Sequence, residues 1–226
     1  MVIYLRPSGS DAPFGRGEYM VPGLLKARDL TEHTTGERHS HRDTWTLREL
    51  QGRITELSGA VASAGLTLAA SLIREAHAAH QPVAWVAGVD SVFFPPDFAA
   101  AGVDLRALPV VWARTRERAA MAAETLLRSG AFALVVLDLG RTTYLDEGIL
   151  GRLLRLAQQH QSAVLCITRK SRRLPSLGSM VSRRVEAVRS RLAPAYFRCD
   201  LKLLKDKQHE AAYGYREEYH GPAGVR

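Results

Sequence analysis

The chain has 226 residues, 46% of them hydrophobic, and a formal net charge of +8, enough to bury an ordinary core as one domain with appendages. No apolar run approaches the length of a bilayer span and the start MVIYLRPSGSD lacks the order of a secretion signal, so a cytoplasmic protein with no membrane association is expected. From residue 169 onward there are fourteen Lys+Arg against six Asp+Glu, whereas the first 168 residues hold seventeen of each; a basic excess confined to one end favours a surface that faces a polyanion.

Residues 1–50 are rich in Pro, Gly, His and balanced charge and read as an irregular N-terminal arm, with a short docking helix over VPGLLKARDL (21–30). His39 and His41 stand two apart without an evident third ligand, so no metal site is expected. Cys166 and Cys199 each lie inside an apolar segment, which suits small buried side chains better than a disulfide or a metal cluster.

From residue 51 the pattern changes to a single domain running to residue 226. RITELS (53–58), PVAWVA (82–87), LPVVWA (108–113), AFALVVLDL (131–139) and SAVLCIT (162–168) are nearly continuous apolar runs, as strands covered on both faces require. Helices are predicted over 66–80, over 116–130 with Gly130 placed to end it, and over 145–161 with Leu150, Leu153, Leu154 and Ala157 on one face. Strand and helix alternating in this way indicate an α/β fold with a mainly parallel sheet flanked by helices.

After residue 168 the segment RKSRRLPSLGSMVSRRVEAVRSRL (169–192) holds eight Lys+Arg and one acid. If 180–192 is helical, Arg184, Val188 and Arg191 share one side and Val181, Val185 and Leu192 the other. Arg169, Lys170, Arg172 and Arg173 form one candidate cluster for DNA or an acidic partner; Arg183, Arg184, Arg189 and Arg191 form a second. No aromatic residue interleaves between 169 and 195, which leaves contact with the nucleic-acid backbone as the expected mode. AYFRCDLKLLKDKQ (195–208) alternates like an antiparallel strand, and 211–224 reads as a strand and turn at the sheet edge.

A phosphate-binding loop needs G-x-x-x-x-G-K-[ST], in which backbone N–H groups and a lysine meet the phosphates and the hydroxyl holds magnesium. Residues 60–67 read AVASAGLT: Gly65 and Thr67 are in register, but Ala60 replaces the first glycine and Leu66 the lysine. A hydrocarbon stem cannot offset a triphosphate's charge. Asp138 ends the strand ALVVLD where a carboxylate would hold a magnesium-bound water, and Thr168 ends a later strand where a polar group would sense the terminal phosphate.

With these motifs in place, GVDLRALPVVWARTRERAAMAAETLLRSGAFALVVLDL (102–139) resembles the middle of the bacterial RecA core, and GRITEL (52–57) the strand entering its phosphate-binding loop. The resemblance covers roughly residues 50–168 and implies a RecA-like core closed by C-terminal antiparallel strands. The departures are specific. The glutamate that activates water in RecA proteins aligns with Val89, beside Asp90; the lysine aligns with Leu66; the first DNA-binding loop is reduced to GRTTYL (140–145); and the second is replaced by 169–192. A short, degenerate chain of this kind is similar to the ImuA-type accessory proteins of translesion synthesis. That resemblance implies a non-catalytic protein without a cofactor, acting in the response to DNA damage through contacts with an ImuB-like inactive polymerase homologue, with RecA and with DNA. Two alternatives stand beside it: an ATP-dependent RecA paralogue of recombinational repair in which Arg141 or another cation replaces the lysine, and a SulA-like inhibitor of cell division.

Overall fold

Among the described residues, nine strands form one sheet in the order β1-β4-β3-β5-β6-β2-β7-β8-β9. The computed structural model describes residues 2–3, 45–59, 63–91, 93–194, 196–207 and 214–220. The strands are β1 (Val2–Ile3), β2 (Ile54–Ser58), β3 (Val83–Ala87), β4 (Val110–Trp112), β5 (Leu134–Asp138), β6 (Ala163–Thr168), β7 (Arg183–Ala193), β8 (Tyr196–Asp206) and β9 (Gly214–His220). The helices are α1 (Leu47–Leu50), α2 (Gly65–Ala78), α3 (Pro95–Ala100), α4 (Arg116–Arg128) and α5 (Glu147–His160).

Strands β2 to β6 are parallel to their neighbours, and β2 also pairs in parallel with β7, whereas β7, β8 and β9 are antiparallel and β1 caps the other edge antiparallel to β4. This is the α/β arrangement expected from the sequence, consistent with a RecA-like core. Four of the five apolar runs became strands buried at every residue, β2, β3, β5 and β6, since a strand covered on both faces needs no polar alternation; β4, next to the edge, buries Val111 and exposes Trp112. Helices α1, α2 and α3 cover one face, where Leu57, Leu68, Leu72, Trp85 and Phe98 share a core. Helices α4 and α5 cover the other with Ala123, Leu127, Leu150 and Leu153.

Local chemistry explains the boundaries. Asp146 caps α5 by accepting from Gly148 N at 2.9 Å and Ile149 N at 3.2 Å, and Thr115 caps α4 by accepting from Arg118 N at 3.2 Å. Gly130 ends α4 at φ +67°, where a Cβ would also stand 2.8 Å from the His160 ring, so both conformation and space call for glycine. On α5 the fully buried face is Leu150, Leu153, Leu156 and Ala157; Leu154 only borders the core.

Two expectations change, and a segment the sequence left unassigned takes shape. Residues 45–50, read as part of the arm, bury Trp45, Leu47 and Leu50; Trp45 Nε1 donates to Leu68 O at 3.1 Å, and the Glu75 carboxylate accepts from Leu47 N at the start of α1. The segment after β3 is anchored by aromatic rings, Trp85, Phe93 and Phe98 lying 4.7–5.2 Å apart centre to centre, and its prolines open α3, where the missing N–H is harmless. The segment 180–192, considered as a helix, instead feeds the strand β7, Arg183–Ala193, because alternation places Val185 and Ala187 in the core. The proposed docking helix at 21–30, His39 and His41 lie outside the described residues.

Cys166 and Cys199 are free and buried, as small core side chains. Burial pushes the Cys166 thiol well above its ordinary range and Cys199 up to about 11.

Candidate functional site

The carboxyl ends of β2, β3, β5 and β6 lie along one margin of the sheet, the margin at which open α/β folds place their ligands. Strand β6 separates β2 from β5, so the loop after β2 and the carboxylate ending β5 are two strands apart.

At the end of β2, Gly59 N donates to Thr168 O at 3.1 Å, and a Cβ on Gly59 would collide with Ser63 Cβ at 2.3 Å. Gly59 and Ser63 therefore approach closely. Ala60 lies outside the described residues. Ser63 Oγ accepts from Gly65 N at 3.3 Å, and Gly65, Leu66 and Thr67 form the first turn of α2. Gly65 is buried and Thr67 half-buried. Leu66 is partly buried and packs against the apolar core beneath α2. It does not lie idle in solvent; its hydrocarbon contributes to packing.

Asp138 is buried, accepts from Ser91 Oγ at 2.5 Å and, through Oδ1, from Gly140 N at 3.3 Å. Its position at a strand end is as expected, and it is already engaged by a neighbouring hydroxyl. Val89, at the position aligned with the water-activating glutamate, is 70% exposed. Gly88, Val89, Asp90, Arg116, Leu139 and Thr142 line a cleft of about 180 Å³. Arg169 Nη2 closes one side by donating to Asp90 O at 2.5 Å.

Thr168 departs from its expected role. Alternation along β6 directs its side chain toward the α5 face, and its hydroxyl donates to Glu56 Oε1 at 2.9 Å. Asp138, by the same alternation along β5, belongs to the α2 face, so the two do not converge on one ligand.

Glu56 is the residue that sequence reasoning missed. It sits fully buried in the middle of β2, and a carboxylate in such a place must be paired and hydrogen-bonded. Lys170 Nζ lies 2.8 Å from Oε1 and Arg184 Nε 3.7 Å from Oε2. Ser176 Oγ and Leu177 N each donate to Oε2 at 3.0 Å. Lys170 also donates to Thr143 O at 3.3 Å, and Arg184 donates to Ser58 Oγ at 3.3 Å, to Ser171 O at 3.1 Å and to Leu174 O. Burial drives the Lys170 pKa below its ordinary value, and contact with Glu56 opposes the shift.

Lys170 and Arg184 therefore do not form a binding surface. They are 3% and 4% exposed and hold the crossover 169–182 onto β2. Arg183, 1% exposed, is also withdrawn: its Nε donates to Asp206 Oδ2 at 2.9 Å and its Nη2 lies 3.4 Å from Glu49 Oε2. The physical reason is common to all three: the core contains carboxylates, and the basic segment supplies their counter-charges. Arg172 and Arg173 are exposed, Arg169 is partly buried at the cleft, and Arg189 and Arg191 are exposed on the outer half of β7. Asp206 and Glu56 were the missing signal, since a buried acid in an apolar strand announces a buried base elsewhere.

No protein-family model matches this chain. It is 36% identical over 88 residues to the protein RecA of Chlorobaculum tepidum. The match covers 39% of this chain and 25% of RecA. This is a distant RecA-like relationship, carried by part of the chain on a sheet compatible with a RecA core. Among the described residues, no helix is long and apolar enough to cross a membrane.

Proposed function

We propose that this chain is a RecA-like accessory protein of DNA damage tolerance that has given up ATP turnover and scaffolds an error-prone translesion polymerase assembly through an ImuB-like partner. The observation that carries this reading is Leu66. In the turn where a phosphate-binding loop presents its lysine, this side chain packs onto the core of α2, and a cation's role beside a polyphosphate cannot pass to a hydrocarbon. Val89 in place of the activating glutamate and Thr168 committed to Glu56 support the same conclusion, as does the RecA likeness over 88 residues. DNA and RecA are further partners on this reading.

The test pairs two measurements on the purified full chain. Size-exclusion chromatography with an ImuB-like protein is expected to yield a stable complex, and MgATP is expected to be neither hydrolysed nor bound tightly enough to raise the melting temperature. Brisk hydrolysis abolished by Asp138→Ala would reinstate the ATP-dependent paralogue. Failure to bind the polymerase homologue, together with a block of division-GTPase assembly, would reinstate the SulA-like reading.

A further inference from the structure

The ladder between β2 and β7 ends at Ser58 and Glu186, but β7 runs on to Ala193 and β8 returns from Tyr196. The outer half of this hairpin, with β9 beside it, extends past the end of β2. Its register places side chains in rows across three strands. Ala187, Leu201 and Tyr215 form a row in the core; Arg189, Cys199 and Glu217 form the next; Arg191, Phe197 and Tyr219 form the outermost. All belong to the sheet face that carries α2, by the alternation of strand side chains.

The chemistry of that face is particular. Arg189 and Arg191 are exposed, and Phe197 and Tyr219 are partly exposed. The Arg189 guanidinium lies 5.0 Å from the Phe197 ring centre, which fixes cation and ring as one platform. Among the described residues neither arginine forms an ion pair with a carboxylate. Glu217, the acid on this face, accepts from both the Tyr215 and Tyr219 hydroxyls. On the opposite face the charges neutralise one another, Arg198 with Glu218 at 3.1 Å and Arg216 with Asp200 at 2.7 Å.

We infer that the α2-side face of the β7–β8–β9 outer half binds single-stranded nucleic acid, with Arg189 and Arg191 on successive phosphates and Phe197 and Tyr219 as a stacking platform for unpaired bases. The inference rests on the reading that this chain works at DNA, and gives that reading a surface. Alternate residues on a strand stand about 7 Å apart and neighbouring strands about 5 Å apart, so cations and rings are presented side by side to an extended strand. Stacking on rings is sequence-tolerant and requires bases that are not already paired, which favours a single strand over a duplex. An acidic protein surface would use the arginines but leave the exposed ring edges without purpose.

Fluorescence anisotropy with a labelled oligothymidylate on the full chain tests this. Arg189→Glu/Arg191→Glu is expected to weaken binding by at least about tenfold and to flatten the dependence of log affinity on log salt by about 1.4, two phosphates' worth for a single strand. Phe197→Ala is expected to weaken binding about tenfold and Phe197→Trp to retain it, as stacking requires. Arg172→Glu/Arg173→Glu, on the crossover and outside the three rows, is expected to stay within about threefold, the part of the affinity owed to overall charge alone. Circular dichroism melts accompany each variant, and Arg189→Gln/Arg191→Gln replaces the charge reversal if it unfolds. The inference is overturned if Phe197→Ala is silent while the crossover variant abolishes binding, if a duplex of equal length binds as tightly, or if the hairpin variants lose a protein partner and not the oligonucleotide. Absence of oligonucleotide binding at low salt by a chain that still binds the ImuB-like protein overturns this surface and leaves the scaffold reading standing.

Discussion

Replacing Lys170 by methionine isolates the balance on which the crossover depends. The substitution keeps the side chain's length and removes its charge, leaving the fully buried Glu56 carboxylate with three hydrogen bonds, from Thr168, Ser176 and Leu177, and with Arg184 at 3.7 Å. Breaking a buried ion pair from one side costs about 3–5 kcal/mol. Because Arg184 still faces the carboxylate, the cost falls at and just below the lower end of that range, about 2–4 kcal/mol. In a domain of this size each kcal/mol lowers the melting temperature by about 2–4 °C, so Lys170→Met is expected to melt roughly 5–15 °C below the parent chain. Adding Glu56→Gln removes the stranded charge, and the double variant is expected to recover most of the loss, a coupling that a double-mutant cycle reads directly. Differential scanning calorimetry of the four proteins at neutral pH is the assay. A Lys170→Met protein that melts within about 2 °C of the parent, or a double variant no better than the single one, would show that the pair is not what secures residues 169–182.

Three further outcomes follow from the same geometry. Arg183→Ala removes the guanidinium that meets Asp206 at 2.9 Å, where both side chains are almost fully buried, and is expected to cost about 2–4 kcal/mol in urea unfolding while leaving oligonucleotide affinity and its salt slope unchanged. Millimolar MgATP is expected to move the melting temperature by less than about 1 °C, whereas a ligand at a hundred times its dissociation constant would add about 2.7 kcal/mol. Acid weakens the chain through Glu147 and Glu124. The Ser179 N–H and hydroxyl hold the Glu147 carboxyl below its ordinary value of 4.5, and Arg152 with Arg128 does the same for Glu124. A carboxyl whose folded value is depressed binds fewer protons folded than unfolded, so its contribution is present above about 4.5 and is lost as pH falls through the folded value. The urea midpoint of Glu124→Gln/Glu147→Gln should accordingly fall less between pH 6 and pH 3 than that of the parent, and an identical fall would refute the assignment.

How far the sequence discloses this molecule depends on the range of the interaction. β2, β3, β5 and β6 were legible because continuous burial leaves a local record in Val, Leu, Ile and Ala, and α4 and α5 because their caps and apolar stripes are local too. The candidate nucleotide positions could be named because a phosphate-binding loop is defined by residues a few positions apart; whether Leu66 and Val89 abolish turnover is what the MgATP measurement decides. What failed was the sorting of arginines. Arg183 and Arg191 look alike in a string of eight basic residues, yet one answers Asp206 across a hairpin and the other faces solvent. Lys170 and Arg184 are assigned by Glu56, more than a hundred positions upstream, with no periodicity to reveal it. β7 was misread for a related reason: arginine, valine and alanine suit a helix surface as readily as a strand until the register with β2 and β8 decides. The same register supplied Phe197 and Tyr219 to a cationic stretch that, read along the chain, holds no aromatic.

The crossover between β6 and β7 is riveted to the middle of the sheet by a carboxylate, an ammonium and a guanidinium, with seryl, threonyl and backbone donors filling the remaining lone pairs. Shifting a connection fastened so deeply would strand a buried charge, at about 3–5 kcal/mol. The consequence is mechanical: residues 169–182 travel with β2 as one piece, and β7 starts from a root held in place at Arg184.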